Sequence, residues 1–266
     1  MTTYTFDGTL NGLLSAVFDA FDRRESPDML LTAGDELPLF GDVPHAVTTD
    51  VEHARRVYEG LEKRLSPDAM RLVSVSWLSE LKELNSPLFR YICKVFRQNP
   101  GEPPPETNFA DPDVLAVANI AHKVLHEQLR MKQFIRFQKA KDGTYLAVVS
   151  PDHNVLPLIT DHFADRFNDQ TWLIYDARRH YGYYYEGGDA SRDNTPTRIT
   201  FDNDTEAPFS LADGKLDEVL LADNDRLMQD LWRTYFKAIC IRERLNPRKQ
   251  LNDMPRRYWK YMTEKQ

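Results

Sequence analysis

Between residues 99 and 106 the chain reads Asn99-Pro100-Gly101-Glu102-Pro103-Pro104-Pro105-Glu106. Each proline fixes its own φ and lacks an N–H, so no helix can run through this stretch, and an extended polyproline path is favoured. This is the strongest constraint in the sequence. It divides the chain into a part over residues 1–98, a connector over 99–106 and a part over 107–266, which together we read as one compact unit. A chain of 266 residues can hold one large domain or two modest ones.

The two parts carry different patterns. In the first, Tyr4 and Phe6 alternate with threonines before Asp7-Gly8, which predicts a short strand and turn. Leu10, Leu13, Leu14, Val17, Phe18 and Phe21 follow at helical spacing. Further helices are predicted over 50–65, over 66–84 behind the Ser66-Pro67 start signal, and over 86–97, so this third reads as largely helical. In the second part a helix over 113–130 precedes two strands, 134–140 and 144–149, around Lys141-Asp142-Gly143, a turn whose aspartate and glycine tolerate positive φ. A helix follows over 151–167. Two aromatic strands come next, 172–175 and 181–185, with a possible further strand over 197–201 and a long helix over 223–245. The fold class expected is α+β: an antiparallel sheet built from two hairpins with a connecting helix, packed against the helical N-terminal part and the long C-terminal helix.

Composition excludes several function classes. The apolar fraction of 41% and charged fraction of 28% are those of a globular chain. No apolar run is long enough to span a membrane and no basic start precedes an apolar core, so the expectation is a cytoplasmic protein with no membrane partner. Cys93 and Cys240 are the two cysteines and stand far apart, which gives neither a disulfide framework nor a metal knuckle. No cofactor and no metal are expected. His122 and His126 have the i, i+4 spacing of a helical metal pair, but His122 falls beside Ala118, Leu125 and Leu129 on the wheel, and a packing role is the favoured reading.

The net charge of −7 is unevenly placed. From Leu231 to the end there are ten bases and three acids, +7, which leaves −14 for the rest of the chain. A basic end on an acidic body is suited to meeting a phosphate backbone with that end. In the long helix Met228, Leu231, Trp232, Tyr235, Phe236 and Ile239 form an apolar face expected to dock on the sheet, with Arg233, Lys237 and Arg244 opposite. The candidate nucleic-acid contacts are therefore Arg233, Lys237, Arg244, Arg248, Lys249, Arg256, Arg257 and Lys260. Arg242 and Glu243 point to the core side and are read either as an internal ion pair or as the lining of a polar site.

Candidate chemistry gathers at strand ends, where rigid scaffolds display functional groups. Asp152-His153-Asn154 follows one strand, His162 lies in the next helix, and Asp176, Arg178, Arg179 and His180 lie between the aromatic strands. The candidate catalytic set is His153, His162, Asp176, Arg179 and Arg242: histidines with an acidic partner can move protons, and arginines can hold phosphate through paired hydrogen bonds. Turn chemistry and ordinary packing account for the same residues and are the favoured reading, since no nucleophile or metal motif accompanies them. The aromatic residues from Trp172 to Tyr185 could stack bases or simply build strands.

A longer pattern carries a resemblance. It comprises Arg136-Phe137; Asp142-Gly143-Thr144-Tyr145; Ser150-Pro151-Asp152-His153-Asn154 with Leu156-Pro157-Leu158; His162-Phe163-Ala164-Asp165-Arg166-Phe167; and Trp172-Leu173-Ile174-Tyr175-Asp176 with Arg179 and Tyr181-Gly182. It continues with Leu231-Trp232-Arg233, Ile241-Arg242-Glu243-Arg244-Asn246-Pro247 and Met254-Pro255-Arg256-Arg257-Tyr258-Trp259-Lys260. Together these resemble the SAM-linked DNA-metabolism protein family, a domain of unknown function. The resemblance implies a chain paired with a radical-SAM DNA repair or modification protein, in some relatives fused to a uracil-DNA glycosylase-like domain. No glycosylase motif is present here, so uracil excision is not carried over, and the resemblance assigns no catalytic residues. The leading expectation is a DNA-binding accessory to that radical-SAM partner. The alternatives are an enzyme acting directly on nucleic acid and a protein adaptor that does not touch DNA.

Overall fold

The computed structural model describes residues 2–38, 43–99, 101–188, 195–200, 221–222, 225–238 and 247–265, the side chains of 226, 235–238, 247 and 263 excepted. It resolves into two compact units, residues 1–125 and 126–266.

The first unit starts with strand β1 (Thr3–Phe6), helix α1 (Leu10–Asp22), strand β2 (Met29–Thr32) and the short β3 (His45–Ala46). Helices α2 (Val51–Glu62), α3 (Pro67–Trp77) and α4 (Asn85–Arg97) follow, and α5 (Pro112–Phe134) carries the chain into the second unit. Start signals act as the sequence suggests: Thr9, Asp50 and Ser66 each accept backbone N–H bonds of the first turn of α1, α2 and α3. The unit is not only helical. β1 pairs with β2 and β3, both in parallel, through the α1 crossover. Ser86, expected to start a helix, instead bridges to β2: its hydroxyl accepts from the Leu30 N–H and donates to the Leu30 carbonyl. Tyr4, Phe6, Leu13, Val17, Leu88, Phe89 and Ile92 make the core of this unit.

The second unit is built on a five-stranded sheet in the order β4 (Gln138–Lys139), β5 (Tyr145–Val149), β6 (Trp172–Asp176), β7 (Tyr181–Tyr185) and β8 (Thr197–Thr200), with α6 (Thr160–Arg166) between β5 and β6. Helices α7 (Asp225–Ala238) and α8 (Pro247–Asp253) and a 3-10 segment, Arg256–Tyr261, also belong to it. Three of the sheet's pairings are antiparallel, but β5 and β6 run parallel, from Tyr145 opposite Trp172 to Val149 opposite Asp176. The sheet is thus mostly antiparallel, and the expectation that it is antiparallel throughout is corrected at β5–β6. The chain leaves β5, forms α6 and returns in the same direction. The strand–helix–strand order and two nearly continuous apolar strands, YLAVV and WLIYD, are the pattern of a parallel pair buried on both faces.

Register then sorts side chains by period two. Tyr145, Trp172 and Tyr185 align on one face, with Ala147, Ile174 and Tyr183, then Val149, Asp176 and Tyr181, further along it. Phe163 of α6 lies edge-on to Trp172 at 6.3 Å, and Trp172 stacks on Tyr185 at 5.2 Å. Leu146, Leu173 and Tyr184 share the other face, with Ala140 and Leu221.

Three further expectations change. The strand expected over 134–140 is two residues long, because α5 continues to Phe134. The apolar face of α7 does not dock on the sheet through the side chains described: Leu227, Met228 and Leu231 are more than half exposed. Helical periodicity establishes that a face is apolar, not what covers it. α7 is fastened instead at its start, where Asp225 accepts the Lys139 N–H at 2.8 Å. The continuation of that helix to residue 245 falls outside the described residues.

Gly182 of β7 has no room for a side chain, since an added Cβ would lie 2.6 Å from the Ile174 carbonyl oxygen. Gly143, at φ 91°, sits in open space within the β4–β5 turn. We expect Gly182→Ala to cost about 2 kcal/mol by overpacking, and Gly143→Asn to be nearly silent because asparagine tolerates that backbone. Thermal melts of both variants check the contrast, and an undisturbed Gly182→Ala would contradict it.

Candidate functional site

Because β5 and β6 are parallel, their C-terminal ends and the loops that follow lie side by side, the position where open parallel sheets place ligands. Three of the five candidate catalytic residues meet there: His153 after β5, and Asp176 and Arg179 at the end of β6. His162 stands elsewhere, on α6. Arg242 lies outside the described residues, as do Glu243 and Arg244.

The strand-end cluster is organised by carboxylates. Asp176 is fully buried and accepts the Arg178 and Arg179 N–H groups through Oδ1 at 2.9 and 3.3 Å. Its Oδ2 takes Arg179 Nη1 at 2.8 Å. The same guanidinium donates to the carbonyls of Pro151 at 3.1 Å and Asp152 at 2.9 Å, and Arg178 adds a second bond to Asp152 at 2.9 Å. Arg179 therefore holds the loop after β5, with donors turned toward protein oxygens.

From the other side that loop is held by Glu127 of α5, 1% exposed. Its Oε1 accepts the Asp152 N–H at 3.0 Å and its Oε2 the His153 N–H at 2.7 Å. Tyr258 donates its hydroxyl to Oε1 at 2.7 Å, and Arg257 donates to the same oxygen at 3.0 Å while reaching Asp152 Oδ2 at 2.5 Å. Burial by itself would raise the Glu127 pKa. The Tyr258 hydroxyl, the two N–H groups and the Arg257 charge outweigh it and hold the carboxyl below its ordinary value. Tyr258 is pushed up to about 12, by burial first and by Glu127 next. Close by, Tyr181 donates to Asn154, Arg198 of β8 lies over the Tyr181 ring at 4.5 Å, and Tyr175 and His180 meet at 3.3 Å.

Chemically this arrangement is a clamp. Both oxygens of Glu127 and of Asp176 already accept hydrogen bonds from arginine, tyrosine or backbone, which occupies the lone pairs a general base would use. Glu127 stood outside the motifs, and Tyr258 stood within one without an assigned role. A signal existed, since Glu127 falls on the stripe of Ile120, Val124 and Met131, where a carboxylate needs partners.

The expected nucleic-acid residues separate into three groups. Arg248 and Lys249 on α8, and Arg256 and Lys260 in the 3-10 segment, are exposed. Arg257 is engaged by Glu127 and Asp152, and Arg233 by Asp230 at 2.9 Å. The Lys237 side chain and all of Arg244 lie outside what is described. Along residues 256–265 cations alternate with ring faces: Arg256 and Lys265 lie 5.8 and 5.1 Å from the Trp259 ring, and Lys260 lies 4.5 Å from Tyr261. Trp259 is pinned by its Nε1, which donates to the Met254 carbonyl at 3.0 Å.

His122 and His126 are exposed, contrary to a packing role, because the stripe of α5 that Val117, Ala121 and Val124 bury lies on another side. Among the described residues no group of three or more His, Cys, Asp or Glu is placed to hold a metal. No described helix is long and apolar enough to cross a membrane. Cys93 is buried and its thiol pushed up to about 12, which removes it as a nucleophile.

Residues 82–264 match the family described as Domain of unknown function (DUF4130). No curated protein and no solved structure matches the chain.

The Glu127 contacts generate a pH-dependent expectation. The folded pKa lies below the ordinary 4.5, so the carboxylate contributes stability at and above that pH, and the contribution is lost as pH falls through the folded value. Replacing Glu127 by Ala leaves the Asp152 and His153 N–H groups and the Tyr258 hydroxyl without this acceptor, while Arg257 keeps Asp152, and should cost about 3 kcal/mol at neutral pH. Urea unfolding of parent and Glu127→Ala at a series of pH values should show that difference narrowing in acid; a gap independent of pH would refute the account.

Proposed function

The chain belongs to the DUF4130 family, which carries no assigned function; from the motif resemblance and the surface chemistry we propose that it is a DNA-binding accessory that assists a radical-SAM partner in repairing or modifying DNA. The partner is inferred from the motif resemblance. DNA contact rests on one observation above the others, the cation–aromatic strip over residues 256–265. Cations neutralise phosphate and release counterions. Aromatic faces stack bases without regard to sequence, the mode by which single strands are held. Arg248 and Lys249 extend the basic surface one element earlier. The acids at the strand ends serve the clamp, which favours binding over acid–base chemistry in this unit.

A second reading has an observation of its own. Leu227, Met228 and Leu231 form an exposed apolar group on α7, a feature suited to a protein partner. It supports an adaptor that contacts the radical-SAM protein and not DNA.

The deciding experiment measures binding of fluorescent single- and double-stranded DNA across a salt series, with the chain alone and with the co-purified radical-SAM partner. Affinity should fall steeply with salt. The triple variant Arg248→Glu, Arg256→Glu, Lys260→Glu should bind more weakly and flatten the log–log slope by roughly two to three, the share of three lost phosphate contacts. Its circular dichroism should be unchanged, since all three side chains are exposed. A parent that binds no DNA even beside its partner would leave the adaptor reading in its place.

A further inference from the structure

Between the end of α5 and α6 lies a recess of about 270 Å3 that takes no part in the strand-end clamp. Its lining combines two kinds of group. Phe137, Phe163 and Phe167 supply rings, with Phe137 5.6 Å from each of the other two. Lys132, Arg136 and Arg166 supply cations, and no acid is among the lining residues.

The three cations are not equivalent. Arg136 is answered by Glu264, with Nη2 2.7 Å from Oε1. Among the described residues Lys132 and Arg166 have no carboxylate within ion-pair distance; Arg166 lies 5.7 Å from the Phe167 ring. The recess thus holds two positive charges with no ion-pair partner among the described residues, beside aromatic surface. His162 reports the same field: its pKa is lowered by burial and then by Lys132 and Arg166, against a weaker opposing effect of Asp165. The imidazole is therefore neutral near pH 7 and adds no third charge.

We propose that this recess binds a single nucleotide, with the base against Phe137 and Phe167 and the phosphate on Lys132 and Arg166. Its volume of about 270 Å3 lies just below the roughly 300–1,000 Å3 of small-molecule pockets, which leaves room for one such group and no more. A phosphate monoester carries up to two negative charges, matching the two unanswered cations. Stacking on phenylalanine accepts any base, in keeping with a lining whose polar groups are mainly charged. The nucleotide can be free or the 5′-phosphorylated end residue of a strand. The recess does not need the basic strip for its chemistry, so either site can fail while the other stands.

The test follows the His162 ring signals by NMR in the full-length chain during titration with thymidine monophosphate, inorganic phosphate and phenyl phosphate. Thymidine monophosphate should shift those signals and bind more tightly than either of the others by about tenfold, the effect of one base stack. The variant Lys132→Gln, Arg166→Gln should lose about tenfold or more in affinity with an unchanged melting curve, and Phe167→Leu should weaken the nucleotide more than the phosphate. The strip variant Arg248→Glu, Arg256→Glu, Lys260→Glu should bind thymidine monophosphate as the parent does, which separates the recess from DNA binding. A 5′-phosphorylated oligothymidylate that binds this strip variant more tightly than the mononucleotide identifies a strand as the source; equal or weaker binding identifies the free nucleotide. No His162 shift with thymidine monophosphate overturns the proposal, as does equally tight binding of inorganic phosphate, an anion site only, or of phenyl phosphate, a site for aryl phosphates.

Discussion

A carboxylate taken out of water must be answered by donors, and in the second unit that requirement falls on Glu127. Its two oxygens gather backbone N–H groups 25 and 26 residues ahead and side chains 130 and 131 residues ahead. Three distant stretches, α5, the loop after β5 and the 3-10 segment, converge on one charge. Arg178 and Arg179 then take the carbonyls of Pro151 and Asp152. The loop after β5 has its N–H groups on a carboxylate and its carbonyls on guanidinium groups, so its backbone is satisfied without sheet or helix.

The same clamp sets what the C-terminal segment can present. Arg257, though its side chain is still 41% exposed, is paired with Glu127 and Asp152, and Tyr258 beside it is buried. With these two residues anchored, Arg256 and Lys260 on either side remain exposed. Neighbouring arginines thus do opposite work: one stabilises the unit by matching a buried charge, and the other leaves its charge in solvent. Their equivalence as bases in a charge count conceals this. The +7 of the tail overstates the charge available to a phosphate backbone, since Arg257 and Arg233 are already matched by acids.

Much of the fold was legible because it rests on local rules. Thr9, Asp50 and Ser66 start helices, and Asp142-Gly143 turns between β4 and β5, for reasons contained within a few residues. The α+β class followed from these. Strand direction was not legible in the same way, because it depends on which neighbour a strand finds after a helix; the aromatic hairpin β6–β7 drew the reading toward an antiparallel sheet and away from the β5–α6–β6 crossover. The short strands β2 and β3 carried too little pattern to be seen. At the site, sequence named His153, Asp176 and Arg179 and placed them at strand ends, where they are. It did not show that Glu127 and Tyr258 meet, because partners more than a hundred residues apart are joined by tertiary packing alone. It also read His162 as an acid–base group with an acidic partner, whereas in the structure the charges of Lys132 and Arg166 outweigh that of Asp165 around it.

Glu264 extends the argument from the clamp to the recess. Its side chain is fully buried and holds Arg136 with both Nε and Nη2, at 3.1 and 2.7 Å. Burial would raise its pKa, but Arg136 and its own backbone hold it below the ordinary range. The C-terminal segment is therefore anchored twice to residues of α5 and the stretch that follows it, by Arg257 and Tyr258 on Glu127 and by Glu264 on Arg136. The second anchor involves a residue that lines the recess; the first flanks the exposed cations of the strip. Both anchors are buried charges, and breaking either leaves a partner unmatched at a cost of several kcal/mol. The proposed strand-binding strip and the proposed nucleotide recess thus share one structural support, and loosening the segment at Glu264 would disturb a wall of the recess while leaving the Glu127 clamp in place.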